Sequence, residues 1–375
     1  MTNTIKELQK YGQSVWFDNV SRGLIKSGGL QKLIDTGVTG LTSNPSIFEK
    51  AISGGADYDD AMVGLARSGK SAAEIFEALA IEDIRDVADL LRPIHDATGG
   101  RDGFASLEVN PHLAADTDGT IAEARRLFAE LGRPNVMIKV PATPEGIPAV
   151  KQLIGEGINV NITLIFSLQT YANVREAYLG GLERLASDGG DVGKIGSVAS
   201  FFVSRVDTAI DAQLEEKIKN GRPELKDLLG RAAIANAKLA YREFKNTFGQ
   251  SRFADLKKKG ANVQRPLWAS TSAKNPAYSD VMYVESLVGE HTVNTLPEVT
   301  LNAFLDHGNP KPALTSGVDE AAEAVQALER AGVSMDEVTS RLLADGVKAF
   351  ADSFDALLEN VDAKRMQLLV KEASR

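Results

Sequence analysis

A lysine interrupts the apolar run Val136-Met137-Ile138-Lys139-Val140-Pro141. If that run is a short buried strand, its ammonium loses hydration, and burial favours the neutral amine, a nucleophile able to condense with a carbonyl. Two plainer readings compete: an edge strand whose lysine points to water, or a core lysine paired with a carboxylate. Carboxylates and amides stand at corresponding places in other apolar runs: Asp18 after Val15-Trp16-Phe17, Asn44, Glu108 in Ala105-Ser106-Leu107-Glu108-Val109, and Asn161. Each has an ordinary alternative. Asp18 could cap the next element, and Glu108 could form a buried ion pair that keeps Lys139 protonated.

These residues act together only if the chain brings the runs side by side. Strand candidates fall at 14–18, 37–44, 104–110, 136–142, 159–166, 195–204, 266–270 and 292–296, with helical patterns such as 120–131 and 168–186 between them. Such alternation predicts a parallel sheet. Polar residues recur at period two within the strands (Thr42 and Asn44; Ser106 and Glu108; Asn159, Asn161 and Thr163), so each set shares a face. Both faces of an open doubly wound sheet meet helices, whereas a closed barrel gathers one face around an axis. The sequence therefore predicts an α/β fold: a single (β/α)8 barrel domain over residues 1–375, with polar positions late in the strands, where barrel active sites lie.

Helical insertions at about 51–98 and 207–262, and a C-terminal helical extension at about 334–375, interrupt the spacing. The stretch 225–248 reads as one amphipathic helix, and 334–358 as another with Phe350, Phe354, Leu357 and Leu358 on one side. These segments are expected to cover the barrel or an opening. Thr4 with Glu7 reads as a capping box at the first helix.

A net charge of −9, spread along 375 residues, argues against a nucleic-acid surface while leaving room for local phosphate ligands. The absence of cysteine excludes disulfides, thiolate nucleophiles and cysteine zinc sites. His95, His112, His291 and His307 are scattered, and Pro111 breaks the spacing between Glu108 and His112, so neither a metal nor another cofactor is expected. No apolar stretch reaches the length of a membrane span and no signal core opens the chain, which predicts a cytoplasmic protein without a membrane partner. Gly64-Leu65-Ala66-Arg67-Ser68-Gly69-Lys70-Ser71 has the spacing of a nucleotide-binding P-loop, but no buried strand feeds it. Gly69 suits a helix end and Ser71 with Glu74 a capping box, so a helix-turn-helix corner is expected instead.

Five ordered motifs carry a resemblance. Thr42-Ser43-Asn44-Pro45-Ser46, Ser106-Leu107-Glu108-Val109, Ile138-Lys139-Val140-Pro141-Ala142-Thr143, Gly157-Ile158-Asn159-Val160-Asn161-Ile162-Thr163-Leu164 and Asn294-Thr295-Leu296-Pro297 resemble the strand motifs of transaldolase, from the first helix to about Gly308. The insertion at 207–262 and the tail resemble the longer branch of that family. The resemblance implies that Lys139 forms a Schiff base with a ketose phosphate, and that Asp18 takes the C4 hydroxyl proton so that the C3–C4 bond breaks. Glu108, with Thr163 and a water, would relay protons for making and hydrolysing the imine. Asn44, Asn161 and Ser200 would hold the three-carbon enamine, with Ser106 and Phe202 as further substrate contacts. Arg205 would bind the substrate phosphate, its plainer role being an ion pair with Asp207 or with a neighbouring helix; Lys274 is a second candidate phosphate ligand.

The activity so implied moves a dihydroxyacetone unit from sedoheptulose 7-phosphate to glyceraldehyde 3-phosphate in the non-oxidative pentose phosphate pathway. Related Schiff-base aldolases that release free dihydroxyacetone resemble the chain less, carrying glutamine at the place of Glu108 and tyrosine at that of Phe202. A silent sugar-phosphate-binding barrel would need no Lys139, Asp18 and Glu108 together. Sugar phosphates are thus the expected partners, and both a monomer and a homodimer fit an apolar stripe on an exterior helix.

Overall fold

Eight short strands, rich in β-branched and aromatic residues, close into a parallel barrel in chain order: β1 (Gln13–Phe17), β2 (Val38–Leu41), β3 (Ala105–Glu108), β4 (Val136–Pro141), β5 (Val160–Ile165), β6 (Ser197–Phe202), β7 (Arg265–Ala269) and β8 (Thr292–Leu296). The computed structural model describes residues 3–373; residues 1, 2, 374 and 375, the ends of the expected domain, lie outside it. The (β/α)8 architecture expected from the sequence is the one observed. Every strand except β2, β3 and β7 is buried along its whole length, as strands sandwiched between a packed barrel interior and a ring of helices must be.

Register aligns the polar positions. Glu108 on β3 pairs with Lys139 on β4, Lys139 with Asn161 on β5, and Pro141 with Thr163. Asp18 continues the β1 ladder past its assigned end, its amide donating to Leu296 O of β8 at 2.9 Å. The opposite, N-terminal end of the barrel carries a hydrogen-bonded polar cluster. There Asp102 accepts from Ser14 Oγ and from Trp16 Nε1, while Arg265 donates to Ser14 Oγ and to Asp102. Such closed networks at the lower face serve stability.

Between β2 and β3 run helices Pro45–Ser53, Asp59–Arg67 and Ala72–Ala97. The P-loop-like stretch is the corner between the last two: Gly69 sits at φ +80°, and Ser71 and Glu74 form the reciprocal capping box that opens Ala72–Ala97. Between β6 and β7 lie helices Ser204–Lys219, Ala232–Phe248 and Ser251–Lys258. The single helix expected over 225–248 is broken, because Gly230 adopts φ +69° to donate its amide to Asp211 Oδ1 at 3.0 Å. Pro223–Leu228 is instead a separate 3₁₀ turn. The first helix is also capped differently from the sequence reading. Asn3 accepts from Lys6 N, and Thr4 Oγ1 donates to Phe304 O, a tertiary contact that outcompetes the local cap.

The C-terminal helix, Met335–Ala373, continues past the amphipathic stretch read over 334–358 through the expected extension as one helix, and crosses the C-terminal mouth of the barrel. Its own Leu357 and Val361 are fully buried on its inner face, worth roughly 2 kcal/mol each. Polar ties fix its register: Ser46 Oγ donates to Ser353 Oγ at 2.9 Å, His112 Nε2 meets Asp355 at 2.7 Å, and Lys364 reaches Ile52 O at 2.8 Å and Asp59 Oδ1 at 2.8 Å. Among the described residues no helix is long and apolar enough to cross a membrane.

Gly40 on β2 faces Trp16 so closely that a Cβ there would lie 2.5 Å from the indole, whose Nε1 is tethered to Asp102. Gly40→Ala should therefore cost about 1–3 kcal/mol, read as a lowered urea midpoint at unchanged slope. An unchanged midpoint would show that the Trp16 indole yields to a methyl group at that position.

Candidate active site

Asp18, Asn44, Lys139, Thr163, Ser200, Phe202, Arg205 and Lys274 line one cavity of about 200 Å³ at the C-terminal ends of the strands. Strand period two explains the convergence: residues alternating along β4, β5 and β6 point to the same interior, the segments after β1 and β7 add Asp18 and Lys274 at the rim, and the first turn of helix Ser204–Lys219 after β6 adds Arg205. A larger cavity of about 390 Å³ opens at the opposite end of the barrel, around the closed Asp102–Arg265 pair. The reactive groups are gathered at the smaller one.

Lys139 is 6% exposed. Its Nζ donates to Ser43 O at 3.0 Å and to Glu108 Oε2 at 3.2 Å, so the buried ion pair named as the plainer reading is present. Burial pushes the Glu108 carboxyl above the usual range, the Lys139 charge and hydrogen bond oppose that rise, and the Asp18 charge adds to it. Asp18 is likewise raised by burial, against the lowering effects of a 2.7 Å hydrogen bond from Thr42 Oγ1 and of the Lys139 and Arg205 charges. It caps nothing, since Ser21 caps the following helix. One amine thus sits in the field of two carboxylates, each predisposed by burial to accept a proton.

The expected substrate contacts divide into two layers. Ser200 reaches the cavity, and its Oγ donates to Asn161 Oδ1 at 2.7 Å; Asn161 Nδ2 in turn donates to Ser106 Oγ at 3.1 Å. Asn161 and Ser106 are fully buried beneath Ser200, outside the residues that line the cavity, and they orient its hydroxyl. Glu108 also lies off the cavity wall and reaches it through Lys139. Asn44 Oδ1 caps helix Pro45–Ser53 by accepting from Ile47 N at 3.1 Å, which leaves its amide nitrogen as the available donor. Thr163 Oγ1 is buried without a protein hydrogen-bond partner.

Two cations mark the rim. Arg205 makes no ion pair with Asp207, contrary to its plainer reading; its guanidinium lies 5.3 Å from the Phe202 ring, and Phe202 packs on Phe166 at 5.1 Å. Asp207 is occupied elsewhere, accepting from Ala233 N at 2.7 Å and Tyr283 Oη at 2.8 Å, with burial pushing its carboxyl up to about 6. One turn later Asp211 accepts from Gly230 N and from Tyr278 Oη at 2.6 Å. These paired clamps tie the loop that carries Lys274 to the helix that carries Arg205. Neither cation has a carboxylate within ion-pairing distance among the described residues, and both face the cavity. That is the donor set a phosphate needs.

The sequence reading missed four contributors. Thr42 and Thr295 share a 2.7 Å hydrogen bond beside Asp18; Thr42 was visible as a period-two partner of Asn44, and Thr295 stands in a quoted motif, but neither had a role. Ser272 joins the rim from the β7 loop. Phe350 was read as part of a helical apolar stripe, and its ring centroid proves to lie 5.6 Å from Lys139 Nζ.

A family profile described as Transaldolase/Fructose-6-phosphate aldolase matches residues 15–361. The chain belongs to the transaldolase/fructose-6-phosphate aldolase family. Curated relatives of similar length extend the match beyond the barrel. The chain is 46% identical to "Transaldolase" of Trichodesmium erythraeum over 98% of its own length and 99% of that protein. It is 48% identical to "Transaldolase 2" of Streptomyces coelicolor, with 98% and 99% covered, and 47% identical to "Transaldolase" of Thiobacillus denitrificans, with 96% and 99% covered. The transaldolase relatives thus span the C-terminal helix as well as the strands, so the element that brings Phe350 to the site is part of the matched chain.

If Asp18 acts as a carboxylate, activity falls on the acid side above the ordinary aspartate range, because the folded site raises its pKa. Thr42→Val removes a hydrogen bond that opposes this rise, so the acid limb of kcat/KM should move to higher pH. A limb that stays put or moves down would remove Thr42 as its cause.

Proposed function

We propose that the chain is a transaldolase acting by a Schiff base on Lys139. The dihydroxyacetone unit of sedoheptulose 7-phosphate passes to glyceraldehyde 3-phosphate, giving erythrose 4-phosphate and fructose 6-phosphate in the non-oxidative pentose phosphate pathway, a cytoplasmic reaction. The observation that carries this reading is the buried Lys139 amine, 3.2 Å from Glu108 and in one cavity with Asp18.

The donor ketose enters with its phosphate toward Arg205 and Lys274, which places its carbonyl end deep in the barrel. Glu108 takes one proton from Lys139, the freed amine adds to C2, a second nitrogen proton passes by way of Thr163 and a water to the former ketone oxygen, and Glu108 returns its proton to that hydroxyl as it leaves as water. The resulting iminium withdraws electrons. Asp18 removes the C4 hydroxyl proton, the C3–C4 bonding pair flows toward the iminium, and the aldose phosphate departs, leaving a neutral enamine instead of a free carbanion. Asn44 and Ser200, the latter oriented by Asn161 and Ser106, hold the enamine hydroxyls until an acceptor aldehyde arrives and the steps reverse.

Glu108 and Phe202 favour transfer over release of free dihydroxyacetone: an acid can protonate and deprotonate in turn, and Phe202 offers no hydroxyl to hold a water at the enamine. Loss of either carboxylate should lower turnover by about 100- to 10,000-fold with the barrel still folded. The direct test is borohydride reduction in the presence of fructose 6-phosphate. A three-carbon unit fixed on Lys139, and found there by peptide mass spectrometry, is the expected result; a modified chain lacking that adduct sinks the mechanism.

A further inference from the structure

The polar contacts of Lys139 suit an ammonium better than the species it must become. Condensation joins R–NH₃⁺ and a ketone into a ketiminium plus water: the ketone oxygen leaves with two of the nitrogen's three protons, the C=N bond replaces C=O, and the positive charge stays. One N–H then remains where Ser43 O at 3.0 Å and Glu108 Oε2 at 3.2 Å had each accepted one. At least one of the two loses its bond just as the cation forms. The third neighbour is the face of Phe350, with its centroid 5.6 Å from Nζ, and an aromatic quadrupole stabilises a cation without needing a hydrogen.

The ring is held at that depth. One helical turn before it, Gly346 sits so close to the barrel that a Cβ would lie 3.0 Å from Leu164 Cδ2 at the end of β5. After it, Ser353 is tied to Ser46 at 2.9 Å and Asp355 to His112 at 2.7 Å. Phe350 itself is 9% exposed, so its interaction with the cation is largely unscreened by water.

We propose that Phe350, presented by the C-terminal helix, is a catalytic residue whose ring face stabilises the ketiminium on Lys139. This rests on the Schiff-base reading above. It gives the helix a chemical task besides covering the cavity. The ring also favours the charged iminium over the neutral enamine formed by C3–C4 cleavage, and so biases which covalent species accumulates.

Replacing Phe350 with phenylalanines carrying one, two and three fluorines drains the ring face of negative charge at nearly constant shape. Cyanoborohydride delivers hydride to the iminium carbon, giving a stable secondary amine, so its rate of adduct formation at limiting fructose 6-phosphate reads the iminium population. That rate should fall stepwise with fluorine count, to about one third or less for the trifluoro ring. Phe350→Leu, apolar but without a π face, should fall comparably, and Phe350→Tyr should stay close to the parent; matching urea midpoints establish that each variant is folded. A rate independent of fluorine count overturns the proposal and leaves the Schiff base standing. No adduct on Lys139 in the unsubstituted chain overturns both, and is told apart by that first measurement.

Discussion

The upper half of the barrel is arranged around one buried amine, paired with Glu108 and lying in the field of Asp18. Taking Glu108 and Asp18 out of water raises both carboxyls; the lysine charge is the main restraint on Glu108, whereas Asp18 is restrained first by its hydrogen bond from Thr42 and then by the Lys139 and Arg205 charges. The three groups therefore cannot be considered singly. A proton leaving Lys139 for Glu108 removes the charge that both carboxylates were leaning on, and condensation with a ketone restores a cation at the same place. Such an arrangement gives little net stability, since desolvation offsets much of the Coulomb attraction, but removal of one partner leaves a buried charge uncompensated.

The scaffold converts that constraint into geometry. The register of β3, β4 and β5 sets Glu108, Lys139 and Asn161 in one row, so the proton acceptor and the lower hydrogen-bond layer are fixed by backbone pairing. The rim is built differently. Asp207 and Asp211, one turn apart on Ser204–Lys219, each take a tyrosine hydroxyl from the segment after β7 and a backbone amide from the segment leading into Ala232–Phe248. Residues far apart in sequence thereby hold Arg205 and Lys274 around one opening. The C-terminal helix supplies the roof, fastened by Ser353, Asp355 and Lys364 to the helical insertion and to the turn after β3.

The barrel was legible because its signal is local and repeated: strand-length apolar runs, helical spacing between them, and polar residues at period two. The inner row was legible for the same reason, a lysine in an apolar run being conspicuous wherever it lies. What escaped was set by tertiary contact. Nothing local in 225–248 shows that Gly230 turns into the left-handed region, because the acceptor that draws it there, Asp211, lies in the preceding helix. Thr4 left its expected cap for Phe304 O, some three hundred residues on. Phe350 reads as one more apolar residue until the long helix is laid across the mouth, and nothing local in β5 shows that the Asn161 amide links Ser106 to Ser200.

The central claim is a division of labour around Lys139, with Glu108 serving carbon–nitrogen bond making and Asp18 serving carbon–carbon bond breaking. The mass of the adduct that borohydride traps on Lys139 of an Asp18→Asn variant supplied with fructose 6-phosphate tests it most directly. With the imine still formed but the C4 proton left in place, the trapped species should carry all six carbons and the phosphate. A three-carbon adduct forming as fast as in the unaltered chain would contradict that division and take Asp18 out of the cleavage step.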